Sequence, residues 1–143
     1  MKILIPVDGS KMTKNVIDKA EEIGKVFEAK LILMTVLDSA NLTDRYFYAT
    51  AYTSKLKELE NMLEKLKEEN SDYPYEIETV LKTGMPYDEI VKLADEEDVD
   101  LIVMGNRGLG AFSRTLLGSV SNKVLNHSDK SVLVVKTDLE EED

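Results

Sequence analysis

The chain has 143 residues, the length of one domain, and its 43% hydrophobic and 32% charged content is that of a soluble globular protein with a sizeable core. No apolar run is long enough to span a bilayer, and the opening MKILIPVDGS enters a strand pattern with no signal-peptide core, so the expected location is cytoplasmic. A formal charge of −10 with no basic stripe excludes a nonspecific role on nucleic acid, and the absence of cysteine excludes disulfides, thiolate nucleophiles and zinc–thiolate sites.

Lys2 to Val7 (KILIPV) is an apolar run with little alternation, the pattern of a strand buried on both faces of a parallel sheet. Asp8-Gly9-Ser10 turns the chain, and Ser10 or Thr13 is placed to cap a helix whose inner face is Val16, Ile17, Ala20, Ile23, Gly24 and Phe27. Leu31 to Leu37 reads as a second central strand. From Tyr52 the stripe Tyr52, Leu56, Leu59, Leu63 and Leu66 defines a helix whose remaining charged faces are solvated surface. Tyr75 to Leu81 alternates, as a half-exposed edge strand does. Thr83-Gly84-Met85-Pro86 leads into a helix with Ile90, Val91 and Ala94 inward and Pro86 in its first turn. Leu101 to Met104 is the next strand, a helix from Ser119 carries Val120, Val124 and Leu125 inward, and Ser131 to Lys136 is the last strand. The regular alternation calls for a single-domain α/β fold over residues 1–137, an open doubly wound parallel sheet with helices on both faces, followed by an acidic tail, 138–143.

The stretch from Val103 to Lys123 carries the chemistry. Gly105, Gly108 and Gly110 lie in a loop between strand and helix, where glycine at Gly105 and Gly108 permits positive φ and close approach to a bulky anion. Gly118-Ser119 sets bare N–H groups at a helix start, and the hydroxyls of Ser119 and Ser121 can donate to phosphate oxygens or reach Mg²⁺. A nucleoside triphosphate fits these features, with Arg107 and Arg114 giving a local positive field within the acidic envelope. On the loop alone, the glycines equally fit a tight connection. There is no GxxxxGK[ST] run and no GxGxxG opening a helix, so neither a P-loop nor the usual dinucleotide site is present.

PVDGS at the end of the first strand, the spacing Gly105-x2-Gly108-x9-Gly118-Ser119, and the closing LLGSVSNKVLNHSDKSVLVVK together resemble the universal stress protein family, in its ATP-binding branch, from Lys2 to about Lys136. The resemblance implies a Rossmann-like five-stranded sheet in the order 3-2-1-4-5, with the ligand at the switch point between the first and fourth strands. Carried over by position, it implies Pro6, Val7 and Asp8 at one wall, the Val36 backbone at the adenine edge, and Met104 and Gly105 near the ribose. Gly108, Gly118, Ser119, Val120 and Ser121 then hold the phosphates, with Arg107 beside them. The implied ligand is ATP, with Mg or Mn bound through its phosphates and no metal ligand assigned in the chain. Asp8 can accept from a ribose hydroxyl or approach the metal, and it also suits a plain turn. The family pattern commonly has a proline where this chain has Asp129-Lys130-Ser131, which leaves entry to the last strand less rigid.

In that order the last strand is an uncovered apolar edge, so a homodimer through Val132 to Val135 is expected, as in many relatives. The aromatic segment from Asn41 to Tyr52 reads as a lid, a protein-binding surface, or packing at the start of a helix. His127, the one histidine, suits the C-terminal end of its helix as a cation. A phosphoacceptor receiver is excluded locally, because its acceptor Asp would fall where the chain has Lys82-Thr83-Gly84. The reading is an ATP-binding switch or stress-response signalling module, more a binding protein than an efficient enzyme and with no catalytic residue assigned. A slow, partner-stimulated ATP hydrolase and a nucleotide-free dimeric interaction module are the alternatives.

Overall fold

The computed structural model describes residues 1–41, 48–106 and 118–136. Strands β1 (Lys2–Pro6), β2 (Lys30–Asp38), β3 (Ile77–Gly84), β4 (Leu101–Gly105) and β5 (Ser131–Val135) form one parallel sheet in the order β3-β2-β1-β4-β5. Helices α1 (Thr13–Phe27), α2 (Tyr48–Glu69), α3 (Pro86–Glu96) and α4 (Ser119–His127) connect them. The expected order and edge position of β3 are those observed.

Alternation along the strands sorts the core. Ile3, Ile5, Val7, Leu31, Leu33 and Val103 face α1 and α2, where they meet Val16, Ile17, Ala20 and Leu63. Leu4, Ile32, Met34, Val36, Ile102 and Met104 face α3 and α4, against Ile90, Leu93, Ala94 and Val124. Both faces of the three central strands are therefore buried, which is why their sequences show no clean alternation.

Several side chains depart from the helical patterning. Phe27 is 56% exposed and Leu125 46% exposed, so neither faces inward. Leu93 is buried where Val91 was expected to be, and Val91 is only half-buried. Helix α1 has Met12 at its N-cap with no side-chain cap bond; neither Ser10 nor Thr13 serves. Positive φ falls on Gly9 (78°) and Gly84 (155°) among the described glycines, and Gly105, ending β4, does not need it. Gly9 is held in that conformation with the Met62 thioether of α2 packed directly over it, where any Cβ would collide.

Entry to β5 is pinned without proline. Lys130 Nζ meets Asp98 Oδ1 at 2.7 Å, and the Lys130 N–H donates to Ser128 Oγ at 3.1 Å. The ammonium holds the Asp98 carboxyl below the usual carboxylate range.

Candidate functional site

The chain runs outward from β1 to β2 and β3, then crosses back to lay β4 on the other side of β1. Connections leave β1 and β4 in opposite directions, which opens a crevice at their C-terminal ends. The ladders describe the opening. Registered pairs between β1 and β4 end at Leu4↔Ile102, whereas those between β1 and β2 continue to Pro6↔Met34.

At the mouth, Pro6, Val7, Asp8 and Gly105 line one shallow, narrow cleft, together with Ser10, Met12, Thr13 and Val16. Residues expected to face one another from distant parts of the sequence are thus adjacent. Asp8 Oδ1 accepts the Ser10 N–H at 2.9 Å and the Thr13 hydroxyl at 3.3 Å. This Asx-type turn fixes the carboxylate at the cleft and links it to the first turn of α1. Asp8 is therefore a turn residue whatever else it binds.

Beside the cleft, β2 presents an open stretch of backbone. Lys30 N–H donates to Met1 C=O at 2.9 Å, and Val7 N–H donates to Met34 C=O at 2.8 Å. Even-numbered residues of β2 consequently turn their N–H and C=O groups towards β1. The Val7 bond is the last rung, so the Val36 N–H and C=O point to the same side with no β1 partner among the described residues. The Val36 side chain lies in the core towards α3 and α4, as does that of Met104, which is nearly fully buried. Any ligand contact at these two positions is through backbone.

On the far side, α4 is latched to the end of β4. Ser121 Oγ donates to Gly105 C=O at 2.7 Å, and Gly118 N–H donates to Asn106 C=O. Asn106 N–H donates in turn to Val135 C=O at 3.0 Å. The Ser121 hydroxyl proton, expected to serve an anion, is thus committed to the protein. The first helical bond of α4 is Asn122 N–H to Gly118 C=O at 2.8 Å, so the N–H groups of Ser119, Val120 and Ser121 precede it and have no partner within the helix. The Val120 side chain packs against the core. Arg107, Gly108 and Arg114 lie outside the described residues.

A turn and a half into α4, Lys123 Nζ sits 5.1 Å from the centre of the Tyr87 ring of α3, and the His127 ring is 5.5 Å from it. His127 is exposed in the last turn, as expected, yet it shares an aromatic contact that the sequence did not announce. Met12 and Asn106 were also missed. Met12 is a buried wall of the cleft that no pattern singled out; Asn106 had a signal, since Asn directly after a strand favours a turn. Among the described residues no group of three or more His, Asp and Glu could hold a metal, and no helix is long and apolar enough to cross a membrane.

The doubly wound sheet, the Asp8 turn and the strand–helix latch across a switch-point crevice define a Rossmann-like α/β protein with a crevice between β1 and β4. The chain belongs to the universal stress protein family, whose model matches residues 1–136. Universal stress protein MJ0577 of Methanocaldococcus jannaschii is 30% identical over 152 residues of alignment, covering 94% of each chain. Its solved structure superposes with a TM-score of 0.89 at 32% identity, covering 96% of each. A putative universal stress protein of Staphylococcus saprophyticus, SSP1056, is 38% identical over 139 residues, covering 95% of this chain and 83% of that one. A universal stress protein crystallised in complex with cAMP matches with a TM-score of 0.70 at 31% identity, covering 96% of this chain and 98% of that one.

Proposed function

We propose that this protein binds an adenine nucleotide, ATP with Mg²⁺ or Mn²⁺ carried on its phosphates, in the crevice between β1 and β4, and acts as a nucleotide-dependent switch. The observation that carries the reading is the unpaired Val36 backbone. An N–H donor beside a C=O acceptor on an open strand edge complements the N1 acceptor and N6 amino donor of adenine, and this recognition needs no particular side chain. Asp8, held by Ser10 and Thr13, accepts from a ribose hydroxyl. The N–H groups of Ser119, Val120 and Ser121, backed by the α4 dipole, receive phosphate oxygens, with Arg107 and Gly108 contributing from the connecting segment. The relative crystallised with cAMP supports an adenine nucleotide as the ligand class.

The test is to denature freshly purified protein, identify any released nucleotide by chromatography, and repeat after incubation with ATP and Mg²⁺. ATP is expected to be retained unchanged. Gly118 has φ −61° and ψ 155°, an extended conformation that valine adopts, so Gly118→Val should keep the fold while crowding the phosphates and lowering ATP affinity by about tenfold or more. No uptake of ATP, or undiminished uptake by a folded Gly118→Val, overturns the site. Steady conversion to ADP that is lost in Asp8→Ala assigns hydrolysis instead.

A further inference from the structure

Strand β3 forms one edge of the sheet, and no described strand pairs with its outer side. Leu31 N–H donates to Glu76 C=O at 2.9 Å, which turns Glu76 and every second residue after it towards β2. The N–H and C=O groups of Ile77, Thr79, Leu81 and Thr83 consequently point outward, where no described strand lies. Edges of this length are usually blunted by charged side chains lying along them. Here Glu78 is drawn inward, its Oε1 being 2.6 Å from Lys30 Nζ on β2, so it does not screen the edge.

At the beginning of β3, the end away from the nucleotide crevice, a groove of about 370 Å³ lies between α2 and the strand. Its floor is Tyr73, Tyr75 and Ile77, and its rim carries Glu64, Lys67 and Glu68. Tyr73 is fixed, with its hydroxyl donating to Ala29 C=O at 2.6 Å, and it holds Tyr75 edge-on with ring centres 5.8 Å apart and planes at 74°. The aromatic wall is therefore preformed. Glu64 and Glu68 stand one helical turn apart and make no ion pair among the described residues. An apolar floor under two carboxylates suits a long cationic side chain, whose methylenes cover the ring while its head reaches the acids.

We propose that the outer edge of β3 and the Tyr75 groove together dock an extended segment of a partner protein, added as a sixth strand and carrying an arginine or lysine that enters the groove beside Glu64 and Glu68. Backbone bonds to Ile77, Thr79, Leu81 and Thr83 supply affinity, and the cation in the groove supplies register and selectivity. Local charge favours a basic segment over a second copy of this strand: a second β3 would bring Glu76 and Glu78 towards Glu64 and Glu68, whereas a basic segment is attracted to them.

The experiment uses a fluorescein-labelled peptide of alternating Val and Arg, matched to the eight residues of β3, with a Val/Glu peptide as control, read by fluorescence anisotropy. The Arg peptide is expected to bind and the Glu peptide not to. Thr79→Pro removes an outward N–H and leaves the β2 ladder whole, and it should weaken the Arg peptide by about tenfold or more. The double change Glu64→Lys with Glu68→Lys should do the same, with circular dichroism and nucleotide uptake unchanged in both variants. Equal binding of the two peptides, or Arg-peptide binding that survives both changes, overturns the proposal. So does a concentration-dependent dimer abolished by Thr79→Pro, which would give the edge to a second copy.

Discussion

On one face of the sheet, α1 sinks Val16, Ile17 and Ala20 into a core closed by Leu63 and Tyr73, whereas on the other, α4 buries only Ser121 and Val124. The first face is held by apolar area. The second, which carries the candidate phosphate helix, is held at its critical end by directional bonds: Ser121 to Gly105, Gly118 to Asn106, and the Tyr87 ring against Lys123 and His127. Dispersion and hydrophobic burial are spread over many atoms and resist local opening, while a few hydrogen bonds can be exchanged for bonds to a ligand at small net cost. The difference places a rigid platform under the Asp8 turn and a separable element at the other wall of the crevice.

The largest effect should come from breaking the platform. Leu33 is fully buried between α1 and α2, and Leu33→Ala should cost roughly 3 to 4 kcal/mol, lowering the whole denaturation midpoint. Ser121→Ala should cost less, about 1 to 2 kcal/mol, because it strands the buried Gly105 carbonyl without removing apolar volume. Its signature is local. Amide exchange should accelerate over Ser119 to His127 while β1 and β2 stay protected; uniform acceleration would show that α4 belongs to the same cooperative unit as the platform.

This asymmetry also explains what could be read in advance. The sheet order, the buried central strands and the β3 edge were legible because apolar runs report burial on both faces and the stretch Tyr75 to Leu81 alternates; in the structure β3 is half-buried along its length, as an edge strand is. Helix faces were read less well at their ends: Phe27 and Leu125 fit the spacing, yet both are exposed in the last turn of their helices. At the crevice, the glycines and the Asp8 turn were visible as residue types. The open Val36 backbone was not visible in its own side chain, because it is created by where β1 stops. The roles of Ser121 and Asn106 in latching α4 likewise depend on a tertiary juxtaposition that no local pattern encodes.

Among the described residues the platform has one polar flaw at its rim, and it gives the smallest of these effects. Glu21 on α1 has its Oε2 buried with no hydrogen-bond partner, and its proton is held above the usual glutamate range, first by burial and then by the Asp72 carboxylate, with Asp18 adding and Lys25 and Lys14 opposing. The Tyr73 hydroxyl is raised in turn, first by burial and then by the Glu21 charge. Because the native state binds the Glu21 proton more tightly than the unfolded chain does, the native state holds more protons in the window above the ordinary glutamate value, and stability falls as pH rises through it. The penalty is complete above the raised native value and absent below the unfolded one. Glu21→Gln keeps the shape and removes the titration, so its stability relative to the parent should rise from acid to neutral pH. Glu21 is only partly buried, so water still reaches and screens the charge and keeps the change below about 1 kcal/mol. Urea denaturation of both proteins across that window is the measurement, and a stability difference that is flat with pH would mean the carboxylate is solvated in the native state.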